Sequence, residues 1–171
     1  MLQCLYLIRY GNLNSQAALG AGRVSAPGPA ATGGTNTAGM YYGDVDDQTA
    51  QVKFAGVEDF YGSIVDFIDG AYCDNDCHAL VVTNNFNDEV TGYKDLGAIS
   101  SGGGNGWISS IWGDTELGFI PKEFEGSNST YFSDKASARP GRFAFFGAFF
   151  DDESFGGAFC LSLYAPADDF G

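Results

Sequence analysis

Few side chains in this sequence are suited to chemistry. The one histidine, His78, follows Cys73 and Cys77 in "CDNDCH". Thiolates and an imidazole can bind Zn²⁺, but a structural zinc site usually takes two well-spaced ligand pairs, and the sequence offers one. A Ser-His-Asp or Cys-His site would also need His78, and no Gly-x-Ser-x-Gly turn accompanies it. We therefore interpret these residues as structural, and we expect the four cysteines to be free or loosely paired thiols.

The acidic side chains do not define an active site either. Neighbouring carboxylates occur at Asp46–Asp47, Asp151–Asp152 and Asp168–Asp169. Neighbours in a strand point to opposite sides, so no two of them are set up as general acid and base. "GDVDDQT" and "CDNDC" cluster oxygen ligands that would suit Ca²⁺, without the spacing of an EF-hand loop. We expect no enzymatic activity and no cofactor, with calcium as the one alternative.

The charge of the chain excludes other classes of partner. The formal net charge is −14 and the pI is about 4.1. Phosphate binding needs a basic face, so we expect no nucleic-acid partner and no binding to an anionic membrane. No run approaches the roughly 20 apolar residues of a membrane-spanning helix. The scattered carboxylates are typical of a solubilising surface.

The first half of the chain predicts a mixture of elements. "LQCLYLIRYGNLNSQAALG" has the apolar spacing of a short helix and a second helical turn that ends at Gly20. Residues 25–39 are rich in Pro, Gly, Ala and Thr and predict a loop. Residues 63–69 and 78–86 combine apolar and β-branched side chains and predict strands.

The second half predicts loops followed by two strands. "GGGNG" (102–106) lacks the Lys and Ser/Thr of a phosphate-binding loop and predicts a flexible loop. Residues 117–134 are interpreted as irregular. "RFAFF" and "GAFCLSLY" are typical of strands, and the acidic turn "DDES" separates them.

The stretch 142–160 concentrates aromatic residues. In a strand, Phe143 and Phe145 would share one face, and Ala144 and Phe146 the other. In the next strand Phe159, Leu161 and Leu163 alternate with Cys160, Ser162 and Tyr164. The alternation is lost after Gly147, so the following rings are expected on a connection between the strands.

Exposed aromatic residues mixed with small polar ones are typical of a recognition surface. We predict that ligand contact is made by residues of this connection and of the last loop, namely Phe149, Phe150, Asp151, Asp152, Ser154, Phe155, Tyr164, Ala167, Asp168 and Phe170. The alternative is a bulged strand with its rings buried, since apolar residues usually lie inside.

Three segments and the opening of the chain together carry a resemblance. They are "VEDFYGSIVDFIDG", "GFIPKEFEGSNSTYFSD", "GRFAFFGAFFDDESFGGAFCLSLYAPADD" and the opening "LYLIRYGNLNSQAALG". In this order they resemble C-type-lectin-like domains of the formylglycine-generating-enzyme type, the second segment being similar to phage and prophage members. The resemblance runs from residue 2 to the end of the printed sequence.

The resemblance implies a fold and a setting. The fold would be α+β, a single C-type-lectin-like domain over 1–171 with mostly antiparallel short strands, two short helices and long loops. Phage members are virion proteins: tail-tip or fibre receptor-binding proteins, or capsid decorations. Some are diversified by retroelements near their carboxyl end. Residues 141–171 are the corresponding candidate variable region here, and from Phe143 to Phe170 only Glu153 lies outside the residue types that such mutagenesis reaches.

The sequence departs from the family pattern at several points. Ser63 stands where Asn is usual, Ala148 replaces a glycine, and "DDFG" stops short of the usual ending. The cysteines do not match the active-site pair of the enzyme branch, so the resemblance does not extend to that activity.

We expect a protein on the surface of a phage particle that binds a host cell-surface protein or glycan. Its other partners would be virion proteins, including copies of itself in a homo-oligomer such as a trimer. Two alternatives stay open: an oxidase of the formylglycine-generating type, and a purely structural capsid or tail subunit.

Overall fold

The computed structural model describes residues 18–116, 118–127, 134–153 and 156–165. The elements of this part of the chain are strands: β1 (Lys53–Phe54), β2 (Val57–Glu58), β3 (Asp66–Cys73), β4 (His78–Val81), β5 (Lys94–Ala98), β6 (Gly104–Trp107), β7 (Ser110–Asp114), β8 (Gly118–Glu123), β9 (Lys135–Ala138), β10 (Arg142–Phe146) and β11 (Leu161–Ala165). Residues 25–39 contain turns and bends and no strand.

Seven of the strands form one mixed sheet in the order β5-β4-β3-β10-β11-β9-β6. Neighbours in the sheet are antiparallel except β11 and β9, which run parallel. The parallel pair places Ser162 beside Ser137 and Leu163 beside Ala138. Two separate hairpins, β1–β2 and β7–β8, accompany the sheet. The topology therefore brings the end of the described chain next to β9, which in turn pairs with β6.

The alternation predicted for β10 and β11 is confirmed, and it gives the sheet two different faces. Ala144 and Leu163 belong to the main hydrophobic core, where Leu161 and Phe159 also pack. Phe143 and Phe145 lie on the opposite face and are nevertheless buried. The ring of Phe143 packs against Tyr72 at a centroid distance of 4.8 Å. Both faces of these strands are therefore covered, one by the core and one by aromatic rings.

The β7–β8 hairpin packs over the core face. Ile120 of β8 is buried in the main core, and the ring of Phe119 lies 6.0 Å from the ring of Phe159. Below the hairpin a hollow of about 200 Å³ is lined mainly by apolar side chains, among them Ile68, Val81 and Leu161. This side of the sheet is the stabilising interior.

Both edges of the sheet are covered by other parts of the chain. Beside β5, the Trp112 indole Nε1 donates to the Ala98 carbonyl at 3.4 Å, and Lys94 pairs with Asp114. Beside β6, the amide of Gly126 donates to the Trp107 carbonyl at 2.9 Å. Backbone groups at both ends of the sheet thus find partners within the chain.

The α+β fold class with two short helices is wrong. The part of the chain that the structure describes is nearly all β, a curled mixed sheet with accompanying hairpins, and it contains no helical element. The expected helix at residues 2–10 lies outside the described residues. The physical reason for the β preference is composition: glycine costs a helix about 1 kcal/mol relative to alanine, while the aromatic residues suit paired strands.

Three local predictions also need correction. "GGGNG" is no flexible loop, because Gly104–Trp107 pairs antiparallel with β9 as an edge strand. Residues 117–134 include strand β8, whose partner β7 imposes the extended form. The strand predicted at 63–69 instead runs from Asp66 to Cys73, because Gly70 takes a positive φ of 84° within it and lets it continue through a register shift against β10.

Candidate functional site

A cleft of about 370 Å³ opens on the sheet face opposite the core; we call it the sheet cleft. Its lining comes from four strands and from the connection that follows β10. The polar side chains are Asn105 of β6, Ser137 of β9, Arg139 directly after β9, Ser162 of β11 and Asp152 of the connection. The aromatic side chains are Phe145, Phe149 and Tyr164.

Two of these rings are open to solvent and one is not. Phe149 is 41% exposed and Tyr164 47%, whereas Phe145 is 7% exposed. The Phe145 and Phe149 rings meet edge to face with centroids 6.4 Å apart. The exposed Phe149 ring therefore packs against the buried Phe145 ring. Exposed aromatic surface on a supported ring contributes to binding with little loss of conformational entropy.

The Arg139 guanidinium stacks on the Tyr164 ring, with Cζ 4.1 Å from the ring centroid. The Arg139 amide also donates to the Leu163 carbonyl at 2.9 Å, which continues the parallel pairing of β9 and β11. Arg139 is exposed and forms no salt bridge with any residue that the structure describes. A stacked guanidinium keeps its N–H groups available along its edge.

Asp152 is the carboxylate of the sheet cleft. Its Oδ2 accepts a hydrogen bond from the Phe149 amide at 2.7 Å, and its own amide donates to the Phe149 carbonyl at 3.2 Å. Burial raises the pKa of Asp152, and the neighbouring charge of Asp151 raises it further. The paired hydrogen bonds make residues 149–152 a closed turn, and the exposed Phe149 is at its start.

The connection after β10 is held to the rest of the molecule by its backbone. The Gly147 amide donates to Cys160, and the Ala148 carbonyl accepts from Ser63. The Phe150 carbonyl accepts from Ala26 at 2.9 Å, and the Glu153 amide donates to the Val24 carbonyl at 2.7 Å. Below it, Ala148 packs with Ala21, Val24 and Cys160 in a small buried cluster. Residues 147–153 are therefore a fixed platform.

The structure brings three of the predicted contact residues together: Phe149, Asp152 and Tyr164 all line the sheet cleft. Phe150 and Asp151 lie on the same turn but do not line the cleft. Phe150 is half-buried, and Asp151 is exposed to solvent. The other predicted contacts, Ser154, Phe155, Ala167, Asp168 and Phe170, lie outside the described residues. Four polar lining residues were not predicted from the sequence, namely Asn105, Ser137, Arg139 and Ser162.

One signal could have pointed to Arg139. The chain has only 8 Lys and Arg residues, and this one stands between a predicted irregular segment and the strand "RFAFF". A scarce cation next to an aromatic strand suggests a binding role. The other three are small polar residues on strands, and nothing in their sequence context separates them from ordinary surface residues.

Among the described residues, Cys73, Cys77 and His78 have structural partners. Cys73 and Cys77 are buried and disulfide-bonded, so the expectation of free or loosely paired thiols is wrong for these two. Their pairing joins the end of β3 to the start of β4. Cys160 is a free buried thiol, and burial raises its pKa. His78 Nδ1 lies 2.9 Å from Asp95 Oδ2, and this hydrogen bond raises the pKa of His78.

The acidic segments considered for calcium use their carboxylates in turns. Asp44 Oδ1 accepts from the Asp46 amide, and Asp47 Oδ1 accepts from the amide and the hydroxyl of Thr49. Asp74 Oδ1 accepts from the amides of Asp76 and His78. Among the described residues, no three His, Cys, Asp or Glu side chains are grouped closely enough to hold a metal ion.

Within the described part of the chain, no helix has the length and hydrophobicity to cross a membrane. Comparison with known proteins adds no further identification: no family model matches this chain, and neither a curated protein nor a solved structure matches it significantly.

Proposed function

We propose that this chain is a non-enzymatic ligand-binding protein of a phage virion, and that the sheet cleft binds a molecule on the host surface. The observation that carries the binding role is the pair of exposed rings, Phe149 and Tyr164, set around a polar cleft on a fixed platform. Pre-formed concave sites with a few placed polar groups are typical of ligand binding. The virion setting is supported by the resemblance of the quoted segments to phage proteins.

The cleft groups favour binding over catalysis. Among the described residues that line the cleft, Asp152 is the one carboxylate, and neither His78 nor a cysteine is present. A general acid and base pair, or a nucleophile with its base, would need two such groups within hydrogen-bond reach. Weak contacts from a single cleft become useful when many copies on one particle bind together, as a homo-oligomer on a virion would.

The proposal is tested by binding of the purified, fluorescently labelled protein to host bacteria. Phe149→Ala and Tyr164→Ala should each reduce cell binding about tenfold or more, because each removes a ring from the cleft. Phe86→Ala is the matched control: this phenylalanine is 50% exposed and lies outside the cleft. Equal loss for all three variants, or no cell binding by the unmodified protein, would contradict the proposal.

A reconstruction of the virion separates attachment from a structural subunit. In attachment, the sheet cleft faces away from the particle. If a neighbouring subunit instead covers Phe149 and Tyr164, the rings stabilise assembly and the attachment role is wrong.

A further inference from the structure

The ligand class can be argued from Arg139. The chain carries 22 acidic residues against 8 Lys and Arg, so its cations have many carboxylates available. Lys94 pairs with Asp114, and Arg23 donates to the carbonyls of Gly28 and Thr49. Lys122 lies over the Trp112 ring, and Arg139 likewise stacks on the Tyr164 ring, with no salt bridge in the described part of the chain. Arg139 differs from these cations in that it lines the cleft. The fork of a guanidinium matches a carboxylate, so a ligand carboxylate would supply the missing partner.

The rest of the lining fits a ligand rich in hydroxyl groups. Asn105, Ser137 and Ser162 offer small polar groups on three adjacent strands. Asp152 uses Oδ2 for the Phe149 amide and can accept a ligand hydroxyl through Oδ1. Phe149 and Tyr164 keep 41% and 47% of their surface exposed, although Arg139 covers one face of the Tyr164 ring. Exposed aromatic surface of this kind suits the flat C–H surface of a sugar ring.

The size of the cleft favours a short saccharide over a protein surface. Its volume of about 370 Å³ is at the small end of ligand pockets. A stable protein partner would instead need roughly 800 Å² of matching surface on each side.

We infer that the sheet cleft binds a carboxylate-bearing saccharide, with the acid group on Arg139 and the sugar ring against Tyr164 and Phe149. This inference rests on the proposed binding function and adds the chemistry of the ligand. It needs no metal ion, because the guanidinium itself recognises the acid group.

The test uses three acidic sugars, the methyl glycosides of glucuronic, galacturonic and N-acetylneuraminic acid. Each is compared with its own methyl ester, which keeps the ring and removes the charge. Affinities are measured by ligand-observed NMR on the whole chain, unmodified and as Arg139→Gln. At least one acid should bind, with its ester about tenfold weaker, which is the size expected for one charge-assisted hydrogen bond.

Arg139→Gln should weaken binding of that acid by about the same factor and leave binding of its ester unchanged. Arg139→Lys keeps the charge without the fork and should give an intermediate affinity. Thermal melting of each variant checks folding, and the ester serves as an internal control, because a misfolded variant would lose both ligands.

The inference is overturned if an ester binds as well as its acid, or if Arg139→Gln binds the acid undiminished. It is also overturned if the protein binds host cells but none of the three acids, and in that case the proposed attachment function stands. If neither cells nor sugars are bound, both proposals fail.

Discussion

Leu163 and Tyr164 are adjacent in β11, yet they belong to different environments. Leu163 is 2% exposed in the main core, while Tyr164 faces the sheet cleft and carries the Arg139 guanidinium. The same contrast holds for two carboxyl groups, since Asp134 is fully buried and Asp152 lines the cleft. The core side of β11 thus contributes stability, and its other side carries polar and aromatic groups of the sheet cleft.

The contrast predicts its largest difference in the free energy of unfolding when Leu163 and Tyr164 are each replaced by alanine. Leu163→Ala should lower the free energy of unfolding by about 3 kcal/mol, because it leaves a cavity in a closely packed core. Tyr164→Ala should cost less than about 1 kcal/mol, since it removes an exposed ring and one cation–π contact. Urea denaturation measures both values. Similar losses for the two variants would break the comparison between the faces.

The two carboxyl groups provide a second, smaller test. Asp134 Oδ2 accepts a hydrogen bond from the Phe159 amide at 2.7 Å inside the protein. Asp134→Ala leaves that buried amide without this acceptor, so we expect a loss of about 2 kcal/mol. Asp134→Asn retains a carbonyl oxygen and should recover part of it. If Asp134→Ala lowers the free energy of unfolding by less than about 0.5 kcal/mol, the effect is no larger than that of an ordinary surface substitution, and the contrast with Asp152 is wrong.

Asp152→Asn should change stability least, and in the opposite direction. The asparagine keeps an oxygen for the Phe149 amide and removes a charge that burial disfavours. The folded-state pKa of Asp152 is raised, so its ionisation lowers stability as pH rises through that pKa. The variant should therefore gain at most about 0.5 kcal/mol at neutral pH, and nothing below the unfolded-state pKa.

Denaturation curves of the unmodified protein and Asp152→Asn at acid and neutral pH measure this difference. A loss at neutral pH would mean that the ionised carboxylate stabilises the turn.

The sequence was sufficient to predict a strand and its two faces where apolar and polar side chains alternate. "RFAFF" and "CLSLY" predict one face for Ala144 and Leu163 and the other face for Phe145 and Tyr164, and the structure agrees for these residues. The pattern failed for Gly104–Trp107, because glycine has no side chain to reveal a period. That strand is extended because β9 pairs with it, and such a long-range cause is invisible in a local window.

The candidate site was predicted in part for the same reason. Phe149, Asp152 and Tyr164 come from the aromatic stretch and the strand after it, where an interrupted pattern marks exposed rings. Asn105, Ser137 and Arg139 reach the cleft through the β11–β9–β6 pairing. These three residues are close together because of the order of the strands in the sheet, and that order cannot be predicted from the residue types alone.

The covered edges of the sheet bear on how copies of the protein could coexist at high density. An open strand edge attracts further strands and promotes aggregation. Here Trp112 and Asp114 lie against one edge and Gly126 bonds to the other, which leaves fewer edge groups open to a strand of a neighbouring copy. A crowded array could then present many identical clefts without its members fusing into fibres.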